Sequence, residues 1–245
     1  MPDKTVYEFS PVAFVKSCFK QKFTIPRQPG LVKHAIAELV FLSEFSQEES
    51  FRGIEKFSHL WIVFVFHKSI RHNKKTTVRP PRLGGREKRG VFATRSNFRP
   101  NPIGQSVVKL EKVEKRGKHY VLQVSGVDLL DGTPVLDVKP YIPYADSIPD
   151  ATADFASTPP PAKYHVRYTS QALEQIQSDS KRLNKDLKAL VDELLTFDPR
   201  PAFYDGEVEK SVFVTQIYDR HLRWEIVQNE VLVLEYVADI CRSQN

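Results

Sequence analysis

The 245-residue sequence predicts a mainly β N-terminal domain followed by a small α+β C-terminal domain. Three observations carry that expectation. Runs rich in β-branched and aromatic residues recur in the first part without amphipathic helical patterns between them, which points to a β-barrel or curled sheet. The stretch "SIPDATADFASTPPPA" (residues 147–162) has almost no hydrophobic periodicity and reads as a linker. Beyond it, leucines at helical spacing precede three further strand-like runs. The expected division is therefore residues 1–146, a linker at 147–162 and a second domain at 163–245.

"HLWIVFVFHK" (His59 to Lys68) is apolar on both alternating faces, as for a strand buried on two sides. "HYVLQVSGVDLLDGTPVLDVKPY" (His119 to Tyr141) reads as strand, turn and strand, with Asp131-Gly132 at the reversal. Val91, Ala93 and Arg95 alternate along a short run that reads as a strand, setting Arg95 on the same face as two small apolar residues. In the second part, Leu183, Leu187, Leu190, Leu194 and Leu195 predict one helix from about Ser170 to Phe197, stopped by Asp198-Pro199. "SVFVTQIY", "LRWEIV" and "EVLVLEYV" follow as strands, with turns at Asp219 to His221 and at Gln228-Asn229.

Composition excludes several function classes. None of the 10 glycines stands in a Gly-x-Gly arrangement, so a doubly wound dinucleotide-binding (Rossmann) fold is disfavoured. Gly117-Lys118 lacks the preceding glycine and following hydroxyl of a phosphate-cradling loop. The longest apolar run, Leu60 to Phe66, spans seven residues, and no secretory pattern opens the chain, so a cytoplasmic protein is expected. The two cysteines, Cys18 and Cys241, lack metal-ligand spacing and suit a reducing compartment. His59 and His67 stand roughly 26 Å apart along a straight strand at ~3.3 Å per residue and cannot share an ion. No metal is expected.

Charge is concentrated. Between Arg71 and Arg99 ten Lys or Arg (Arg71, Lys74 and Lys75 among them) face one acid, Glu87, for a net +9; the whole chain carries +6, leaving −3 elsewhere. A localised positive field suits a polyanion partner such as RNA, although a basic run is also compatible with a solvated loop. Within it, "RGVFATRSNFRPNPIG" (Arg89 to Gly104) sets arginines among prolines. Proline restrains its own backbone and that of the residue before it, so Arg99-Pro100-Asn101-Pro102 is expected to be extended and stiff. A held guanidinium fork suits carboxylate or phosphate, while a strained connection packed on its own barrel is the plainer alternative. His67-Lys68, ending an apolar strand, offers a base and a cation. Of Asp128, Asp131 and Asp137, turn chemistry accounts for Asp131 and a basic partner for Asp137. Asp128 follows Val127 inside an apolar run and stands out, because burial would raise its pKa.

These residues resemble a known family. "PRQPGLVK" (Pro26 to Lys33), "FSHLWIVFVFHK" (Phe57 to Lys68), "VRPPRLGG" (Val78 to Gly85), "GVFATRSNFRPNPIG" (Gly90 to Gly104) and "DLLDGTPVLDVKPYIPYAD" (Asp128 to Asp146) are similar to the TrmO, or TsaA-like and YaeB-like, tRNA methyltransferases. "DPRPAF" (Asp198 to Phe203) extends the likeness into the second domain. The resemblance implies a single-sheeted TsaA-like β-barrel, S-adenosyl-L-methionine as methyl donor, and a site completed by a homodimer. It further implies methylation of the exocyclic amine of threonylcarbamoyladenosine beside the anticodon, at tRNA position 37. By the same analogy Pro26, Arg27, Gln28, His67, Lys68, Arg95, Gln105, Ser125, Gly126, Val127 and Asp128 line the donor pocket. His67 and Asp128 are the candidate general bases, and Arg79, Arg82, Arg86, Arg99 and Arg200 are expected on RNA phosphates. The rival reading is a non-catalytic RNA-binding β-barrel with basic loops and aromatics as a platform. A purely structural interaction domain fits the +9 segment poorly.

Overall fold

The computed structural model describes residues 5–70, 76–200 and 212–238. Arg71, Lys74 and Lys75 of the basic segment, Pro201 to Phe203 of "DPRPAF", and Cys241 lie outside the described residues. Six strands close an antiparallel barrel: β1 (Ala13–Ser17), β2 (Ile36–Phe41), β3 (His59–Val65), β6 (Ile103–Arg116), β7 (His119–Ser125) and β8 (Pro134–Pro140). Their order around the barrel is β1-β2-β7-β6-β3-β8, with β8 returning to β1. Two short strands, β4 (Thr77–Val78) and β5 (Arg89–Gly90), pair separately and hold the basic loop between them.

Alternation sets which side chains fill the barrel. Along β3, Leu60, Ile62 and Phe64 are buried, whereas Trp61, Val63 and Val65 are only half-buried on the outer wall. The strand is thus sealed on one side, not two. Leu39 from β2 and Leu122 and Val124 from β7 meet that inner face. At the far end Arg116 grips Glu38 with both terminal nitrogens, at 3.0 and 2.7 Å, and also bonds Glu114.

Two local expectations change. β7 and β8 do not form a hairpin: Gly132 makes the expected turn with φ +73°, but the chain from Gly126 to Thr133 crosses the barrel end and delivers β8 to β3 and β1. Val91 to Ala93 form a 3-10 turn, not a strand, closed by the Thr94 hydroxyl donating to Val91 O at 2.9 Å. Val91 is then buried while Ala93 and Arg95 are exposed, so the three share no face.

In the second part, β10 (Phe213–Ile217), β11 (Arg220–Val227), β12 (Glu230–Val237) and β9 (His165–Tyr168) form one sheet, β9 running parallel to β12. A short helix α1 (Pro143–Asp146) follows β8, and the expected single helix beyond the linker is two, α2 (Ser170–Leu183) and α3 (Leu187–Thr196). Asn184 enters the left-handed region at φ +51°, and Asp186 caps the new helix by accepting from Ala189 N at 2.9 Å. Asp179, 3% exposed, is held by both Arg182, at 2.9 Å, and Arg220, at 2.6 Å. That shared acid locks α2 to the sheet.

The two parts meet along a seam. Phe19 bridges to Ile217, Tyr218 N donates to Cys18 O at 2.9 Å, and His34 reaches Glu193 through both its backbone N and Nδ1, each at 2.9 Å. Arg27 adds a bond from Nη2 to Arg200 O at 3.2 Å.

Candidate active site at the barrel mouth

Strand register brings the sequence-distant candidates to one end of the barrel. Val65 pairs with Ile103, Lys109 and Ile36 both pair with Ser125, and Ser17 pairs with Ala37. The end of β3, the starts of β2 and β6 and the end of β7 therefore share one mouth. His67, Gln28 and the Ser125 to Asp128 stretch follow or precede these positions by a few residues.

Asp128 anchors the mouth. The Ser106 hydroxyl, 1% exposed, donates to Asp128 Oδ1 at 2.6 Å. Burial pushes the Asp128 carboxyl up to about 6, opposed by the Ser106 bond and by the field of Arg95. Arg95 in turn donates from Nη1 to Gln28 Oε1 at 2.9 Å. Gln28 with Arg95 and Asp128 with Ser106 thus form two hydrogen-bonded pairs, and the Arg95 charge acts on Asp128 without a direct bond. Gly30 N donates to Gly126 O at 2.8 Å, and a methyl group on Gly126 (φ +72°) would meet Gly30 Cα at 3.4 Å. That contact is an ordinary one, so Gly126 is needed at the crossing for its left-handed backbone. Val127 is buried beneath it.

His67 opens a 3-10 turn after β3, fixed by Phe66 N donating to Pro102 O at 2.7 Å. Burial and the neighbouring Lys68 ammonium hold the imidazole below its usual range, so His67 is neutral at neutral pH. Lys68 is exposed, and its carbonyl accepts from Lys22. Pro26 is buried, whereas Arg27 is exposed and directed toward the second part. Two candidates point elsewhere. Gln105 alternates with Ser106 onto the outer wall. Ser125 spends its hydroxyl on Glu111 Oε1 at 2.5 Å, a bond that holds the Glu111 carboxyl below its usual range. The side chains brought together are thus Gln28 with Arg95, and Asp128 with Ser106. The sequence carried no signal for Ser106 beyond its place in an alternating run.

A guanidinium and a largely buried carboxyl group thus stand at one barrel mouth. The tRNA-methyltransferase O N-terminal domain family matches residues 14–147, and the TrmO C-terminal domain family matches residues 161–239. This chain belongs to the TrmO family. A tRNA (adenine(37)-N6)-methyltransferase of Escherichia coli (strain K12) is 44% identical over 94% of this chain and 98% of its own length. A Pseudomonas aeruginosa relative, 43% identical over 95% of this chain and 98% of its own, carries a name that assigns it to the S-adenosylmethionine-dependent methyltransferases. A crystal structure of TrmO from Pseudomonas aeruginosa superposes with a TM-score of 0.80 at 36% identity, covering 95% of this chain and 99% of that one.

The five arginines expected on RNA occupy different settings in this TrmO fold. Arg79 and Arg86 are exposed on the loop between β4 and β5. Arg82, on the same loop, bonds the Thr158 carbonyl and hydroxyl of the linker. Arg99 braces the 3-10 turn, donating from Nη1 to Thr94 O at 2.6 Å and Val91 O at 3.3 Å. Arg200 is 8% exposed and committed to Asp198, at 2.7 and 2.8 Å, and to the Tyr164 hydroxyl at 2.9 Å. That placement is structural. Arg200→Ala is expected to cost about 3 kcal/mol of stability, since a nearly buried partner loses its ion pair, while leaving the salt dependence of tRNA binding unchanged. Chemical denaturation and a salt titration of tRNA affinity read the two effects separately.

Proposed function

We propose that this protein is an S-adenosyl-L-methionine-dependent tRNA methyltransferase acting on N6 of adenine 37, and that its substrate nucleoside is threonylcarbamoyladenosine. The carrying observation is the pairing of Gln28 with Arg95 and of Asp128 with Ser106 at the mouth of a TrmO-family barrel. Support for the adenine 37 assignment comes from the name of the Escherichia coli relative. S-adenosyl-L-methionine, when bound, supplies an electrophilic methyl on a sulfonium. Arg95 offers its fork to a carboxylate and Asp128 offers acceptor oxygens to an ammonium or a hydroxyl. The backbone of Pro26 to Gln28 and of Ser125 to Val127 supplies further donors and acceptors, with His67 and Lys68 on the facing rim.

The nitrogen beside a carbamoyl group is a weak nucleophile until its proton is relieved. Neutral His67 and ionised Asp128 both have acceptor capacity at physiological pH, and either serves as the base. Most of the acceleration comes from alignment in the mouth. The sign for His67 is that its accepting nitrogen is present above its lowered pKa and lost below it. Methyl transfer is therefore expected to stay flat from about pH 8 to 7 and to fall only below the ordinary imidazole range. His67→Ala is expected to slow single-turnover transfer by tenfold or more, about 1.4 kcal/mol. A loss smaller than that in both His67→Ala and Asp128→Asn sinks the base assignment.

A homodimer belongs to this reading. Around the mouth Phe23, Ile70, Phe92 and Ile103 are exposed, Phe92 to 79%, and a second copy would cover them. Cytoplasmic residence fits a tRNA substrate, and no helix among the described residues is long and apolar enough to cross a membrane. The deciding experiment supplies labelled methyl donor and threonylcarbamoylated tRNA and identifies nucleosides by mass spectrometry. Methylated threonylcarbamoyladenosine is the expected product. A folded dimer that binds tRNA and yields no such product is instead a non-catalytic RNA-binding barrel.

A further inference from the structure

The segment from Pro26 to Ala35 runs between a 3-10 turn (Lys22–Thr24) and β2 without joining a strand, so its shape depends on what grips it. The barrel grips it from one side. Arg95 Nη1 donates to Gln28 Oε1 at 2.9 Å, Gly30 N donates to Gly126 O at 2.8 Å, and Val127 N donates to Ala35 O at 3.4 Å. These bonds lay the segment along the crossing that leads to Asp128.

The second part grips it from the other side. Glu193 of α3 accepts from His34 N through Oε2 and from His34 Nδ1 through Oε1, each at 2.9 Å, and Arg27 Nη2 donates to the carbonyl of Arg200 at 3.2 Å. Both carboxylate oxygens are thus spent on one residue, which fixes the position and the direction of its backbone as a single bond cannot. Burial does not demand the contact: the side chains of His34 and Glu193 are 47% and 25% exposed, and water would satisfy either. Nor does α3 gain from it, because a carboxylate in the last turn of a helix is set against the helix dipole. What Glu193 does serve is the segment that ends at Ala35.

We propose that Glu193 is a positioning residue for the methyl-donor pocket: through His34 it clamps the segment carrying Pro26, Arg27 and Gln28 against the crossing from Ser125 to Asp128. The proposal rests on S-adenosyl-L-methionine binding at the mouth. A segment ordered beforehand loses less freedom when the ligand arrives, so the clamp acts on affinity for the methyl donor. Glu193 touches none of the residues assigned to methyl transfer, so the chemical step in the filled site is left as it is.

The test compares wild type with Glu193→Ala and Glu193→Gln. Alanine favours a helix and the position is partly exposed, so α3 is retained. Glutamine keeps both contacts, since its oxygen accepts from His34 N and its amide donates to Nδ1 once the imidazole carries its proton on Nε2. Methyl-donor affinity is measured by calorimetry, alongside steady-state methylation, tRNA binding over a range of salt, and amide hydrogen exchange in the ligand-free protein. Glu193→Ala is expected to weaken methyl-donor binding about fivefold to tenfold, the scale of losing hydrogen bonds to a charged group. KM for the methyl donor rises by the same factor, kcat holds, and tRNA affinity and its salt slope are not reduced. Exchange at the Gly30 and Val127 amides quickens in Glu193→Ala, and Glu193→Gln restores both exchange and affinity. Methyl-donor affinity within twofold of wild type in Glu193→Ala overturns the proposal. So does weakened tRNA binding with methyl-donor affinity intact, which assigns Glu193 to the RNA side, and so does an equal loss in Glu193→Gln, which makes the effect one of charge. A wild-type protein that binds no methyl donor removes the reading of the mouth instead, and exchange at Gly30 tells the two failures apart because it reports the clamp without ligand.

Discussion

Asp128→Asn is expected to slow methyl transfer tenfold or more and, at the same time, to stabilise the protein at neutral pH. The two effects share a cause. The carboxyl sits against the inner wall, its pKa raised to about 6 from a model-compound value of 3.8, because burial disfavours the charged form. A raised acid means that folding favours the protonated state. Stability is thus fullest below the unfolded pKa of about 3.9 and declines as pH rises to about 6, beyond which the carboxylate costs about 2 to 3 kcal/mol. Asparagine removes that cost and still accepts the Ser106 hydroxyl through its amide oxygen. Denaturation midpoints taken near pH 7.5 and near pH 4 give the check: the gain belongs to the first and vanishes at the second. Equal gains at both pH values would falsify the electrostatic account. A trade of stability for a poised carboxylate is common where a carboxyl group serves a function, as proposed for Asp128.

The largest purely structural effect is expected at Gly104, where β6 begins opposite Phe64. Its backbone is ordinary, so the glycine is needed for space. An added methyl would lie 2.3 and 2.4 Å from two ring atoms of Phe64 and 2.8 Å from Phe66. Those rings pack edge-on with centroids 5.1 Å apart, and Phe64 is only 4% exposed, so neither swings aside freely. Overpacking of this kind costs about 1 to 3 kcal/mol. In a chain of this size the melting temperature of Gly104→Ala is expected to fall by roughly 2 to 12 °C. Because Phe66 also positions the turn carrying His67, affinity for the methyl donor is expected to drop as well. A variant melting within a degree of wild type shows that the rings do yield.

Legibility in the sequence followed the range of the interaction. The strand from Leu60 onward was readable because every residue in it favours a pleated, buried setting. Its neighbours were not, since alternation does not encode partner order: β8 lies beside β3 and β1 although its sequence neighbour is β7. β6 escaped notice because its outer half, from Lys109 to Arg116, is a run of paired charges on solvent, such as Lys112 with Glu114 at 3.0 Å. The stretch from Val91 to Arg95 alternates, yet five residues are too few to outweigh a hydroxyl that closes a local turn. At the site, Asp128 betrayed itself as an acid inside an apolar run. Ser106 did not, because a buried serine leaves no mark when its partner lies 22 residues away. Arg200 was misleading for a related reason: its charge is visible in the sequence, but Asp198 and Tyr164 consume it in the fold.

The seam has a consequence for selectivity. Backbone ties at Cys18 and Phe19 and the doubled contact of His34 with Glu193 join the second part to the barrel end at separate points, so rotation about any one of them is opposed by the others. The second part is then carried as a fixed extension of the barrel end, so an RNA that touched both would meet a surface of set shape and would itself have to supply any bending, at a cost set by its loop sequence and stacking.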